Sequence, residues 1–289
     1  MAKGRITQLL NNNKEPVFPI TDASLVYTKD GNRTVEEALN NINDDLKSLS
    51  TKGFSNSEFR DKTISILGDN ISTYTGYVPD GNGVFYNGAN GGITDVSLTW
   101  WHSLITNLGA KLCVNNSWSG SRVTTTNGSV AAGCMTRCEN LHNEESDPNI
   151  IIVYLGINDF NNNVPLGSYD GSQSFPTDTT TFKEAYAIML NKILIRYGNA
   201  KVYVCTLPYC DRGTQENEFP EKNSNGVQLA VWNNAIREMA DLFGLDVIEM
   251  SKCGLTFQNR KRFLFDELHP NAEGMQMLRR KAENSIRYL

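Results

Sequence analysis

Five short apolar runs punctuate the chain from residue 63 onward. The runs are TISIL (63–67), KLCVNNS (111–117), NIIIVYL (149–155), KVYVCTL (201–207) and DVIEM (246–250). Polar residues or glycines bound each run, and within a run the apolar character is nearly continuous. This pattern is typical of strands that are buried on both faces of a parallel sheet.

Between and after these runs, apolar residues recur at helical spacing and predict three amphipathic helices. Their stripes are Phe182, Tyr186, Met189, Ile193 and Tyr197; Leu229, Trp232, Ile236, Met239 and Phe243; and Met275, Leu278, Ala282 and Ile286. Strands that alternate with helices predict right-handed βαβ units. We therefore expect an α/β domain over residues 61–289, a three-layer α/β/α flavodoxin-like sandwich with a five-stranded parallel sheet.

Residues 1–60 have a different pattern and are expected to form an N-terminal appendage. A short extended segment with a turn at residues 30–32 comes first, and a linker follows from Gly53. Between them Val35, Leu39, Ile42, Leu46 and Leu49 follow the 3.5-residue period of a coiled-coil seam. This pattern predicts a homo-oligomer, a dimer or trimer, through residues 35–49. A surface helix packed on its own domain has the same pattern over so short a length, and this alternative stays open.

Composition and charge narrow the function classes. The chain has 289 residues, a formal net charge of −5 and no Lys/Arg-rich patch, so nucleic acid is not an expected partner. No apolar run reaches membrane-spanning length, and the N-terminus lacks the apolar stretch of a signal peptide, so we expect cytoplasmic synthesis and no membrane association. Six dispersed cysteines and three histidines lack the spacing of a zinc site, and we expect neither a metal nor a cofactor.

Polar residues follow the first three predicted strands, where parallel sheets bind their ligands. Gly68-Asp69-Asn70 follows the first strand, residues 118–122 (WSGSR) follow the second, and Gly156-Ile157-Asn158-Asp159 follows the third. Before the last helix stands Asp266-Glu267-Leu268-His269-Pro270. Pro270 fits the first turn of that helix and disfavours the α conformation at His269, so the imidazole is expected to face a cleft from a loop.

These four blocks, in this order, resemble those of the SGNH, or GDSL, hydrolases, whose members include esterases, lipases, thioesterases and carbohydrate deacetylases. The resemblance covers residues 63–289. It implies that His269 is the general base and that Asp266 orients its imidazole. It further implies an oxyanion hole made by the backbone N–H groups of Asn70 and Gly120 and the side-chain amide of Asn158. Taken singly, each residue also fits a plain role in a cap, a turn or a polar corner; their joint order favours the catalytic interpretation.

One position departs from the family pattern. The first block of the family ends in the nucleophilic Ser, and this chain has Asn70. An amide has no proton to give to His269 and cannot form an acyl-enzyme, so this chain is expected to be inactive or nearly so. Ser72 lies two positions further on and is expected to point elsewhere. Two hypotheses compete: an esterase scaffold whose Ser was replaced, which we favour, and a binding module that has lost its chemistry. A metal-dependent phosphoesterase is disfavoured because suitable ligands are too few.

Two long polar segments indicate the kind of substrate. Residues 75–101 are rich in glycine and aromatic side chains, and residues 161–180 are polar. As walls of an open cleft they favour a short acyl group, such as acetate, on a small molecule or glycan. Tyr77, Trp101 and Arg122 are the predicted substrate contacts. Alternatively, Trp100 and Trp101 begin a helix, and at least one of them packs in the core.

The N-terminal segment adds a second resemblance. Residues 18–39, FPITDASLVYTKDGNRTVEEAL, followed by a short coil, resemble the attachment segments that precede enzymatic domains in phage and prophage tail proteins. The resemblance implies that the protein is part of a virion, released by lysis rather than secreted.

Overall fold

The computed structural model describes residues 58–128, 131–210 and 219–288, together with Asn40, Asn41 and Asn43. The chain divides into two units, Met1–Ser55 and Asn56–Leu289, and the fold below is that of the second. The three isolated asparagines are helical and exposed. The apolar positions of the predicted 35–49 helix and the extended segment before it lie outside the described residues, so the coiled coil stays a prediction.

Five strands form one parallel sheet in the order β2-β1-β3-β4-β5. They are β1 (Thr63–Gly68), β2 (Lys111–Asn115), β3 (Ile150–Tyr154), β4 (Lys201–Cys205) and β5 (Asp246–Ile248). Each neighbouring pair is parallel. The five predicted strands are thus confirmed in place and in direction.

Helices cover both faces of the sheet and complete the predicted three-layer α/β/α sandwich. They are α1 (Trp100–Leu108), α2 (Ile157–Asn161), α3 (Phe182–Arg196), α4 (Leu229–Leu242), α5 (Arg260–Phe263) and α6 (Ala272–Tyr288). Helix α1 packs against α6, and α3 packs against α4. Short 3₁₀ helices span Asn70–Ser72, Asn90–Gly92, Val96–Leu98, Thr126–Gly128, Arg137–Glu139 and Met250–Lys252. Among the described residues, no helix has the length and apolar character needed to cross a membrane.

The structure corrects the sequence prediction in two details. Burial on both faces holds throughout β3, whereas the edge strands β2 and β5 keep partly exposed positions. Pro270 does not lie in the first turn of α6, because Asn271 caps that helix: its Oδ1 accepts from the N–H of Gly274 at 3.0 Å. Pro270 lies before the cap, and its backbone pairs with Leu264 in an isolated antiparallel bridge.

The end of β1 requires a glycine because other chain segments approach it closely. A Cβ atom on Gly68 would lie 2.7 Å from both Cβ and Oγ of Ser72 and 2.7 Å from Oγ of Ser117. Ser72 belongs to the turn after β1, and Ser117 follows β2. Gly68 therefore lets two loops at the carboxyl edge of the sheet meet.

We expect Gly68→Ala to lower the free energy of unfolding by about 1–3 kcal/mol, because the added methyl group overpacks this junction. Gly198→Ala is the control, since a Cβ there would meet only the carbonyl oxygen of Leu194 at 3.6 Å. Urea unfolding followed by circular dichroism measures both variants. If the two variants are equally stable, the junction around Gly68 accommodates a methyl group, and the predicted overpacking is wrong.

Candidate active site

The turn after β1 holds residue 70 at the carboxyl edge of the sheet. Asp69 caps this 3₁₀ turn, and its Oδ1 accepts from the N–H of Ile71 at 3.1 Å. The Thr73 hydroxyl closes the turn by donating to the carbonyl oxygen of Asn70 at 2.9 Å. The side chain of Asn70 is thereby fixed in a nearly buried position, with 4% of the residue exposed.

Asp266 and His269 lie on one tight loop before α6. One carboxylate oxygen of Asp266, Oδ1, accepts from the backbone N–H groups of Leu268 and His269 at 2.8 and 2.7 Å. The other, Oδ2, lies 2.8 Å from Nδ1 of His269. With the proton on Nδ1, the lone pair of Nε2 is left to accept, and Nδ2 of Asn70 lies within hydrogen-bond distance of it. The loop thus presents the imidazole in the orientation that a general base needs.

The environment of Asp266 keeps it ionised. Its partial burial favours the neutral acid, but the hydrogen bonds from the His269 side chain and from the N–H groups of His269 and Leu268 outweigh this effect. Together they lower its pKa to about 2. At neutral pH the carboxylate is therefore charged and able to stabilise an imidazolium.

Asn158 approaches residue 70 from the other side. It lies in the first turn of α2, directly after β3, and its Nδ2 donates to Oδ1 of Asn70 at 2.8 Å and to the carbonyl oxygen of Ser121 at 2.9 Å. Gly120 forms the turn before Ser121 with a φ of +81°, and no atom lies within 4 Å of where its Cβ would be. The structure thus joins Asn70, Asn158, His269 and Asp266 by hydrogen bonds. The backbone donor roles of Gly120 and Asn70 stay predictions.

Two buried charged side chains that the sequence analysis missed hold these loops in place. Arg137 donates to the Ser121 hydroxyl at 3.0 Å and to the Gly68 carbonyl at 3.2 Å, which ties the loop after β2 to the end of β1. The carboxylate of Asp159 accepts from the N–H groups of Val123 and Thr124 at 2.8 and 3.1 Å. In the sequence, Asp159 stands out only as the residue after Asn158, and no sequence pattern predicts a role for Arg137.

The predicted substrate contacts have different surroundings. Tyr77 is 40% exposed and packs beside Trp101 and His102. Trp101 itself is fully buried at the start of α1, so no ligand can stack on its ring, and this corrects its predicted role to one in the core. Arg122 is 7% exposed, and its charge helps to lower the pKa of the nearby Asp159, an effect that burial outweighs.

Ser72, which was expected to point elsewhere, is engaged in the core. It is fully buried, and its Oγ accepts from Nε1 of Trp100 at 3.1 Å. Within the part of the chain that the structure describes, no group of three or more His, Cys, Asp or Glu side chains could hold a metal ion.

Comparison with known proteins places this geometry in context. The family described as GDSL-like lipase/acylhydrolase matches residues 62–286. A protein from Bacteroides ovatus described as a GDSL-like lipase has 27% sequence identity and a TM-score of 0.61, over 79% of this chain and 99% of that one. A similarly described protein from Bacteroides uniformis has 26% identity and a TM-score of 0.59, over 79% and 97%.

More distant structures share the fold alone. A family two carbohydrate esterase from Clostridium thermocellum, solved as an active-site mutant in complex with celluohexase, has 17% identity and a TM-score of 0.50. The match covers 79% of this chain and 65% of that one. None of the curated proteins matches the sequence closely enough to count as a relative.

The acid that caps the turn, Asp69, gives a prediction about stability. Burial raises its pKa from 3.8 to about 7, so the folded protein keeps its proton where the unfolded chain has lost it. The free energy of unfolding should therefore fall as pH rises from about 4 to 7, by at most a few kcal/mol at about 1.4 kcal/mol per pKa unit. Asp69→Asn should remove this contribution and leave the smaller fall that comes from Asp159, whose pKa burial raises to about 6; urea unfolding measures both profiles.

Asp80→Asn, which changes an exposed carboxyl group, is the matched control and should leave the profile unchanged. Parallel profiles for Asp69→Asn and the natural chain would contradict the assignment.

Proposed function

The chain belongs to the GDSL-like lipase/acylhydrolase family, and on that premise we propose that it is a serine-type esterase scaffold for short acyl esters, inactive or nearly so with Asn70. The observation that carries the proposal is the line of hydrogen bonds from Asp266 through His269 to residue 70. With the proton on Nδ1 of His269, this line has the direction of a catalytic triad, and Asn158 adds an amide donor beside it.

With Ser at position 70, these groups can carry out a two-step ester hydrolysis. The hydroxyl proton passes to Nε2 of His269 as Oγ attacks the ester carbonyl carbon, and the oxyanion accepts from Asn158 and from the N–H of Gly120. The imidazolium then protonates the leaving alcohol, and water releases the acid from the acyl-enzyme by the same route. One such oxyanion donor contributes about 2.7–4 kcal/mol to lowering the barrier.

Asn70 prevents this chemistry in three ways. Its amide supplies no attacking oxygen. Its Nδ2 lies against Nε2 of His269 and so occupies the lone pair that would take the proton. Its Oδ1 accepts from Asn158, the donor intended for the oxyanion. The nucleophile is absent, and the base and one oxyanion donor are bonded to the Asn70 amide, which supports inactivity.

For the substrate, we propose an acetyl-like group on a polar or carbohydrate carrier. The polar, glycine-rich segments 75–101 and 161–180 support it, since neither provides a greasy lid for a long acyl chain. The distant carbohydrate esterase with the same fold is consistent with a glycan carrier. Attachment to a phage virion through residues 1–60 stays part of the proposal and rests on the N-terminal resemblance alone.

We expect Asn70→Ser to raise the hydrolysis of p-nitrophenyl acetate by at least about 10³-fold over the protein with Asn70, because the nucleophile is the one missing member of a cooperative unit. Release of p-nitrophenol measures the rate. Asn70→Ala, which adds no nucleophile, and Asn70→Ser combined with His269→Ala should both stay at background. A folded Asn70→Ser protein with no gain in rate would end the esterase proposal.

A non-catalytic glycan-binding module is the second candidate. It is favoured by the closed network at residue 70, since both polar atoms of the Asn70 amide are bonded within the protein. A site whose polar side chains are already paired with one another is typical of a surface that binds a ligand without reacting with it.

If this second function is correct, isothermal calorimetry with acetylated cello-oligosaccharides should give saturable binding that His269→Ala changes by less than about twofold, since only catalysis needs the imidazole. Tyr77→Ala tests the exposed aromatic side chain in the same titration, and a weaker affinity is expected. Absence of heat with the natural chain, together with an active Asn70→Ser variant, would contradict this function.

A further inference from the structure

The aromatic ring of Phe85 lies flat against the imidazole of His269. The two ring centroids are 3.4 Å apart, and the ring planes are inclined by only 11°. Phe85 belongs to the long segment 75–101, which the sequence predicts to line a cleft. In the structure its ring covers one face of the imidazole instead.

The hydrogen bonds of His269 do not by themselves keep its imidazole from tilting out of its plane. The bonds to Asp266 and Asn70 lie at the two ring nitrogens and so fix the imidazole within its own plane. The terminal torsion of a histidine side chain is broad, so bonds at the ring edge restrain tilting out of the plane poorly. A flat ring in contact with one face blocks tilting toward that face. Tyr86 approaches edge-on at 6.3 Å and 86°.

The backbone of Phe85 is itself held by the turn that carries residue 70. Its N–H donates to Oγ1 of Thr73 at 2.9 Å, and that hydroxyl donates in turn to the carbonyl of Asn70. Its carbonyl accepts from Nδ2 of Asn90 at 2.7 Å. The position of the Phe85 ring is therefore set by hydrogen bonds to the turn that carries residue 70.

The neighbouring residue makes the second connection. The hydroxyl of Tyr86 donates to the carbonyl of Pro270 at 2.7 Å, directly after His269. The N–H of Thr75 donates to the carbonyl of Tyr86 at 3.1 Å. The segment of Phe85 and Tyr86 thus connects the turn that carries residue 70 to the loop that carries His269. The same segment holds the Phe85 ring against the imidazole.

We propose that Phe85 is a positioning residue for His269, which keeps Nε2 aimed at the side chain of residue 70 by blocking out-of-plane rotation of the imidazole. The importance of Phe85 for catalysis rests on the proposed function, whereas its effect on the orientation of the His269 imidazole does not. The experiment therefore has an NMR readout in the protein with Asn70 and a kinetic readout in the Asn70→Ser variant.

In the protein with Asn70, proton NMR reports the position of the imidazole without any need for activity. The protein has only three histidines, so His269→Ala assigns the ring signals. We expect upfield, ring-current-shifted carbon-bound protons for His269 and slow exchange of the Asn70 side-chain amide. Phe85→Leu should abolish the upfield shift and speed that exchange by at least about tenfold as the bond to Nε2 loosens, and Phe85→Tyr should preserve both.

Phe265→Leu is the matched control, because this exposed ring contacts Phe85 at 6.4 Å and forms no ring contact with His269. It should leave the Asn70 amide exchange unchanged. Unchanged Asn70 amide exchange in folded Phe85→Leu would overturn the proposal, whatever the activity of any variant.

In the Asn70→Ser variant, added Phe85→Leu should lower kcat for p-nitrophenyl acetate by about 10- to 100-fold with KM nearly unchanged, as expected for a misplaced base. Phe85→Tyr should restore most of the rate. A raised KM with unchanged kcat would make Phe85 a substrate contact and overturn the positioning role. An inactive Asn70→Ser protein would end the proposed function, and the NMR result would still decide the position of the imidazole.

Discussion

The site depends on one constraint, the side-by-side parallel pairing of β1 with both β2 and β3. Gly68, the last residue of β1, is in register with Tyr154 at the end of β3, and Ile66 is in register with Asn115 at the end of β2. Paired strands lie about 4.8 Å apart. The three loops that follow must therefore begin close together at one edge of the sheet. Residues of these three loops that are far apart in the sequence therefore meet there, whereas Asp266 and His269 come from the loop before α6.

Convergence of the loops brings polar groups into a place with little water, and buried ionisable side chains form hydrogen bonds to these groups there. Burial raises the pKa of Asp69 to about 7 and that of Asp159 to about 6, and it lowers the pKa of Arg137 to about 10. All three shifts oppose the charged form. The backbone groups that these side chains hold belong to the loops around residue 70. The architecture thus gives up some stability for fixed loop geometry, which is characteristic of active sites.

The sequence predicted the parts of this arrangement that follow from periodicity and chain order. Continuous apolar runs located the strands, and the order of the blocks located Asp266, His269 and Asn158 at one edge. Contacts made by loop side chains could not be predicted in this way, because a loop has no repeating geometry to give their direction. Phe85 and Trp101 lie in the same aromatic segment, and only Trp101 was predicted to contact the substrate. One covers the imidazole, and the other is buried in the core.

Position 70 illustrates how stability and chemistry oppose one another in such a site. Catalytic groups are poised for charges that exist only in the transition state, so in the resting enzyme some of them are poorly satisfied. The Asn70 amide offers one donor and one acceptor at the place where Nε2 of His269 needs a donor and Nδ2 of Asn158 needs an acceptor. A serine hydroxyl reaches less far and cannot bond to both in the same way. Because buried polar groups without partners cost about 1–3 kcal/mol each, Asn at this position favours the folded resting state. In the proposed function, the same two bonds that stabilise the site withdraw the proposed base, His269, and the proposed oxyanion donor, Asn158, from an ester.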